Sequence, residues 1–348
     1  RVCAPAASFC AGEGLLPCLY PHLMIQLNEF LYKNEGTAMV DYLLMVSSQV
    51  GTMFLMMAAG FALAKRELIT QAALPQLTNL LLTAVLPCML VDSMQIERTP
   101  ALLGAMGYGA LLVAGLYVLY CLLSIPLFRR QNPATGKALR FGTLYGNVGF
   151  MGLPLIQLVL GEQAMVYGVI NLMVFNAFNW SQGVVLMGGR RQVSLKQAVL
   201  NPGIIGTIIA LALFLCGVTL PSMVGNAVSF LGSMNTPLAM VIIGAQMAAA
   251  DWRAVFRSPA ILLACVLKLA AMPLLTALVL YPLHPEPELY CTLVLLAGVP
   301  TASITAMFAQ RYGQDVATSA QLVTVSTLLS ILTLPCCGVL AALLSGAA

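Results

Sequence analysis

Ten stretches of this 348-residue chain are apolar, and most are close to the ~20 residues that a helix needs to cross the hydrocarbon of a bilayer. They cover roughly 41–64, 74–94, 101–128, 138–160, 163–187, 202–218, 224–249, 258–281, 288–310 and 316–345. Charged residues make up 8% of the chain, against about 25% in a soluble domain. The chain therefore reads as an all-α polytopic membrane protein. No soluble domain fits between the spans, and the longest internal connection, near 188–201, is short. The net charge of +4 is small and does not point to nucleic acid.

The basic residues fix an expected orientation. If the first span runs from outside to inside, the cytoplasmic loops hold Lys65, Arg66, Arg129, Arg130, Lys137, Arg140, Arg190, Arg191, Lys196, Arg253, Arg257 and Arg311. The other side holds Arg1, Lys33 and Arg98. Twelve against three follows the positive-inside rule and predicts an even number of spans with both termini outside. The sixteenth basic residue, Lys268, falls in the middle of the eighth span.

Two spans are broken by glycine and proline. The fourth contains Gly146-Asn147-Val148-Gly149-Phe150-Met151-Gly152-Leu153-Pro154, and the ninth contains Gly298-Val299-Pro300-Thr301-Ala302-Ser303-Ile304-Thr305. Each unpaired backbone group costs several kcal/mol in lipid, so such breaks are not incidental. Prolines recur at matching places: Pro87 answers Pro237 (237 − 87 = 150) and Pro154 answers Pro300 (300 − 154 = 146). Five spans per half place the second half upside down relative to the first. The expectation is ten transmembrane helices as a 5+5 inverted repeat, with helices 4 and 9 broken where they cross. Residues 39–187 form the first repeat, 188–201 a cytoplasmic connection and 202–348 the second repeat. Residues 1–38, with Pro5, Pro17 and Pro21 and no long apolar run, read as an atypical N-terminal extension. Either sequence precedes Arg1, or Met39 begins the functional protein.

Paired broken helices point to the binding site of a secondary transporter. Unwinding exposes N–H groups at the start of a half-helix, where partial positive charge attracts carboxylates. Gly146, Gly149 and Gly152 allow the unwinding, Pro154 lacks a donor, and Asn147 adds an amide. Candidate substrate-binding residues are Asn147, Gly149, Gly152, Pro154, Pro300, Thr301 and Ser303. Asn176, Asn179, Gln246 and Thr305 either line the cavity or bond neighbouring helices. A mid-bilayer lysine costs ~2.5–3.5 kcal/mol even on a lenient scale. Three roles are open for Lys268: bonding the free carbonyls of a broken helix, neutralising an anionic substrate, or titrating as a coupling group.

Seven of the ten cysteines lie in or beside spans as small core residues, and Cys336-Cys337 has no metal-ligand spacing. With only His22 and His284 available, no metal site is expected. Cys3, Cys10 and Cys18 can pair only if the extension is exposed outside. No cofactor motif, phosphate loop or nucleophile–base constellation is present, which argues against an enzyme.

The motif around Asn147 resembles the auxin efflux carrier family and its bacterial permease members. So do Asn201-Pro202-Gly203-Ile204-Ile205, Thr236-Pro237-Leu238-Ala239-Met240-Val241-Ile242-Ile243-Gly244-Ala245-Gln246-Met247, the Pro300 break and Tyr312-Gly313. The resemblance spans about residues 39–345, and the short central loop is similar to bacterial members of the malate and malonate permease type. It implies a scaffold of spans 1, 2, 6 and 7, a transport domain of spans 3–5 and 8–10, elevator movement and a scaffold-joined homodimer. It also implies organic anions as substrates, proton or sodium as the coupling ion, and a plasma membrane location, a bacterial inner membrane in particular. The expected function is a secondary active permease of small organic carboxylates. Its rivals are a non-transporting sensor of organic anions and a cation-coupled antiporter of the same fold. The particular acid, the direction of transport and the coupling ion are not set by sequence.

Overall fold

Proline placement explains the commonest irregularity in these helices. The computed structural model describes residues 36–70, 72–96, 99–189, 191, 202–248 and 258–345. The extension up to residue 35, Arg98, Arg190, Lys196, Asn201, Arg253 and Arg257 lie outside the described residues, as does most of the 188–201 connection.

The elements in chain order are α1 (Gly36–Lys65), α2 (Leu74–Ser93), α3 (Pro100–Leu123), α4 (Pro133–Leu144), α5 (Val148–Leu160) and α6 (Met165–Gly188). They continue with α7 (Pro202–Cys216), α8 (Ser222–Met247), α9 (Pro259–Leu283), α10 (Pro287–Gly298), α11 (Ile304–Arg311) and α12 (Val316–Ser345). Five-residue π-helical segments at Leu81–Val85, Val148–Gly152 and Leu267–Ala271 each end two residues before a proline, at Pro87, Pro154 and Pro273. Proline lacks an N–H and clashes with the carbonyl four residues back. A local i→i+5 turn gives it room without ending the helix.

Among the described residues, seven helices are long and apolar enough to cross a membrane, and Val148–Leu160, Pro202–Cys216 and Pro287–Gly298 are shorter apolar helices. The fourth and ninth apolar stretches are each split in two, as α4/α5 and α10/α11. The fourth breaks at Tyr145–Asn147, earlier than the glycine pattern suggests, and helix resumes at once at Val148.

Small residues set the tightest helix contacts. A Cβ on Gly60 would strike the Val241 backbone, and one on Gly244 would strike that of Met57, so α1 and α8 touch backbone to backbone. Gly206 and Gly232 bring α7 and α8 against Pro87 and Met89 of α2 in the same way. These four helices form one group. In the other, α3 packs on α6, α10 on α9 and α12, and α4 and α11 on α12. The groups meet along α1 and α12 and around the cavity described next.

Candidate functional site

The two breaks cross and pair with each other. Asn147 N–H donates to Pro300 O at 2.7 Å, and Ala302 N–H donates to Tyr145 O at 3.0 Å. Gly146 and Thr301 thus form an isolated antiparallel bridge. Each break supplies what the other lost, which answers the backbone penalty inside a membrane. Thr301 completes the joint. Its N–H donates to Ser326 Oγ of α12 at 3.1 Å, and its hydroxyl donates to Gly142 O of α4 at 2.9 Å. The glycine at 146 is demanded by space: a Cβ there would lie 2.7 Å from Lys268 Nζ and 2.8 Å from Val299 Cγ2.

The crossing has two unlike sides. On one, α5 and α11 begin. Met151 and Gly152 N–H groups return to Asn147 O, and Thr305 N–H returns to Ala302 O. Among the described residues no backbone acceptor meets the N–H groups of Gly149, Phe150, Ser303, Ile304 or Ala306. Such orphan donors are inherent to helix starts. All five residues line one cavity of about 650 Å³. Asn147 also lines it, is 6% exposed, and its side chain has no hydrogen-bond partner among the described residues. Ser303 Oγ is likewise buried and unpaired. The remaining walls come from both helix groups, including Thr78, Asn79, Asn176, Gln246 and Gln310.

On the other side, α4 and α10 end. Lys268 Nζ, buried within α9, donates to Ala297 O at 3.0 Å. It shares a small space of about 20 Å³ with Leu144, Gly146, Asn171 and Tyr120, about the room a single water needs. Of the three roles read from sequence, the side chain occupies the first, on the free carbonyl of a broken helix. It does not line the large cavity.

The structure distributes the other candidates unevenly. Asn147, Gly149, Ser303, Asn176 and Gln246 converge on the cavity. Pro300 and Thr301 form the crossing behind it. Gly152 and Pro154 are buried away from it, and a Cβ on Gly152 would meet Leu296 Cδ2 at 2.6 Å. Thr305 is fully buried with an unpaired hydroxyl. Asn179, which shares a helix face with Asn176, is fully buried and unpaired and does not line the cavity. Sequence reasoning passed over Thr78, Asn79, Gln310 and Ser326. The polar pair Thr78-Asn79 inside an apolar span was the available signal.

Outside the spans, Asp315 ties the start of α12 to the start of α4. Its carboxylate accepts from Thr318 N–H (2.9 Å), the Thr318 hydroxyl (2.7 Å) and the Thr135 hydroxyl (2.7 Å). Burial pushes its pKa up, but these bonds outweigh burial and hold it below the ordinary aspartate value.

A many-helix membrane protein with two crossed broken helices around an internal cavity belongs to the transporter class. The model of a family described as membrane transport protein, the auxin efflux carrier family, matches residues 45–197 and 190–337, and the chain belongs to it. Among its relatives is a protein of Rhizobium meliloti (strain 1021) named "Putative malonate transporter". The two are 28% identical over 243 residues, covering 66% of this chain and 75% of the relative. An "Uncharacterized transporter" of Methanothermobacter thermautotrophicus is 27% identical over 214 residues, covering 60% and 69%. The chain is a multi-pass membrane transporter of a small-molecule substrate, not an enzyme.

Proposed function

We propose that the chain is a secondary active transporter of small organic carboxylates, bound where α5 and α11 begin. One observation carries this reading. Five residues whose helix-start N–H groups meet no backbone acceptor among the described residues line the same cavity as the buried Asn147 amide, which is likewise unpaired among them. Helix starts favour anions through donors and dipole together. The name of the Rhizobium relative agrees with this substrate class.

The seven long and three shorter apolar helices support a 5+5 inverted repeat of ten spans, with α4/α5 and α10/α11 in equivalent places. In the elevator reading, α1, α2, α7 and α8 form the scaffold, and the remaining helices carry the crossing and the substrate. Leu74, Gly203, Gln246, Gln310 and Val316 of the cavity all lie in terminal turns beside the basic loops. With those loops cytoplasmic and both termini outside the plasma membrane, the cavity opens inward. A homodimer through the scaffold and coupling to protons or sodium complete the proposal.

The test is uptake into proteoliposomes of labelled malate, malonate, lactate, succinate and indole-acetate, with a pH gradient, a sodium gradient or neither. Accumulation of one acid, lost in Asn147→Ala, is the expected result. Specific binding without flux under any gradient makes the protein a sensor. Cation flux without acid transport makes it an antiporter.

A further inference from the structure

The crossing fixes a charge as well as a place. A helix start carries roughly half a positive elementary charge, so two starts offer about one. The ends of α4 and α10 carry the opposite sign, and Lys268 sits against them with its Ala297 bond. When protonated, its charge is therefore matched on its own side of the crossing. The cavity side is left with about one positive charge for a ligand.

At the cavity mouth three further helix starts, at Leu74, Gly203 and Val316, lie beside two helix ends, at Gln246 and Gln310, so their dipoles largely offset one another there, and no charged side chain on the described walls adds to the sum at the crossing. None of the described lining residues is Lys, Arg, His, Asp or Glu. Among the described residues, the charged side chains on or within two positions of the lining helices are Asp92 of α2, Glu162 after α5, Arg311 of α11 and Asp315 before α12. None of the four lines the cavity, and Asp315 already accepts from Thr135 and Thr318. Beyond the crossing the walls include Leu74, Leu82, Leu86 and Phe175, interspersed with neutral amides. An amide can bond a neutral carboxylic acid or ester, but it does not offset a second full charge in a largely apolar space.

We infer that the cavity selects singly charged substrates: a monocarboxylate, or a dicarboxylic acid with one carboxyl protonated. The inference rests on the carboxylate reading above and sharpens it. A diacid then brings its own proton, and the pH dependence of its binding belongs to the substrate.

The probes are malonate and monomethyl malonate, in which the second carboxyl is blocked as an ester. Binding of each to the full-length protein in nanodiscs is measured between pH 5 and pH 8. The monoester is expected to bind with a flat pH profile and at least tenfold more tightly than malonate at pH 8. Malonate binding is expected to weaken about tenfold per pH unit above its second ionisation, as the singly charged form is depleted. Equal affinities at pH 8 with flat profiles would overturn the inference and make the site a dianion receptor. A pH trend shared by both ligands would place the titration on the protein and overturn it as well. The carboxylate reading fails separately, and takes this inference with it, if neither ligand binds or if binding is unchanged in both Asn147→Ala and Gly149→Ala.

Discussion

The two sides of the crossing are built from the same pieces and finished in opposite ways. Where α4 and α10 end, the carbonyl of Ala297 has a partner in Lys268, and the space that remains is about 20 Å³. Where α5 and α11 begin, the donors and Asn147 are unpaired and face about 650 Å³. A membrane protein ordinarily satisfies its buried polar groups. The side with free donors and room for a ligand is therefore the side built for one, and the other, where Asn171 Oδ1 is also unpaired but the space holds about one water, keeps the geometry.

Lys268→Met tests the closed side most severely. It is expected to leave Ala297 O and two helix ends without a counter-charge, at a cost of about 1–3 kcal/mol for the orphaned acceptor alone. Thermal unfolding of the detergent-solubilised protein should fall together with ligand binding. A variant as stable as the parent that loses only binding would move Lys268 to the ligand side and break the contrast.

The three glycines of the fourth span sharpen the same contrast. A Cβ on Gly146 or Gly152 meets atoms at 2.6–2.8 Å, whereas one on Gly149 meets only Leu172 Cδ1 at 3.8 Å. Overpacking costs about 1–3 kcal/mol, so Gly146→Ala and Gly152→Ala are expected to lower stability. Gly149→Ala should leave stability within about 1 kcal/mol, on the stabilising side for a helix position. It should still weaken ligand binding about tenfold, or ~1.4 kcal/mol, by standing a methyl group beside the free N–H groups. Unchanged binding would mean the ligand does not approach this turn.

Asn147→Ala removes a side chain that bonds nothing among the described residues. Loss of one hydrogen bond to a charged ligand, about 1.5–3 kcal/mol, is expected to cut affinity by roughly ten- to a hundredfold. Thermal stability without ligand should stay close to that of the parent. A large stability loss would show that the amide serves the fold.

Much of this was legible in the sequence because the signals were covalent. Apolar length, proline and glycine density mark the spans and the two breaks without reference to neighbours. Which side chains face the ligand was not legible, because that depends on the partner strand of the crossing. Thr301 and Ser303 are alike in composition and two residues apart. Thr301 is spent on Gly142 O, while Ser303 lines the cavity with its hydroxyl unpaired among the described residues. Lys268 was open to three roles because sequence does not show which carbonyl lies above it. Pro154 marked the right span but the wrong point of breakage, since a π turn at Val148–Gly152 absorbs it.

The smallest expected effect concerns a carboxylate at the rim, where satisfied and unsatisfied chemistry meet. Asp315 flanks Val316 of the cavity wall and is held by Thr135 and Thr318. Its pKa is lower in the folded protein than the usual aspartate value, so folding favours its ionised form. The stability it contributes is present above the unfolded pKa of about 3.9 and is lost as pH falls through the folded value. Asp315→Asn should therefore be slightly less stable than the parent at neutral pH, and the difference should close in acid. Ligand affinity should not change, because the staple joins α4 to α12 on the fold side of the wall. A neutral-pH loss of affinity at unchanged stability would instead make Asp315 part of the cavity's charge, and the two sides of the crossing would no longer divide cleanly between fold and ligand.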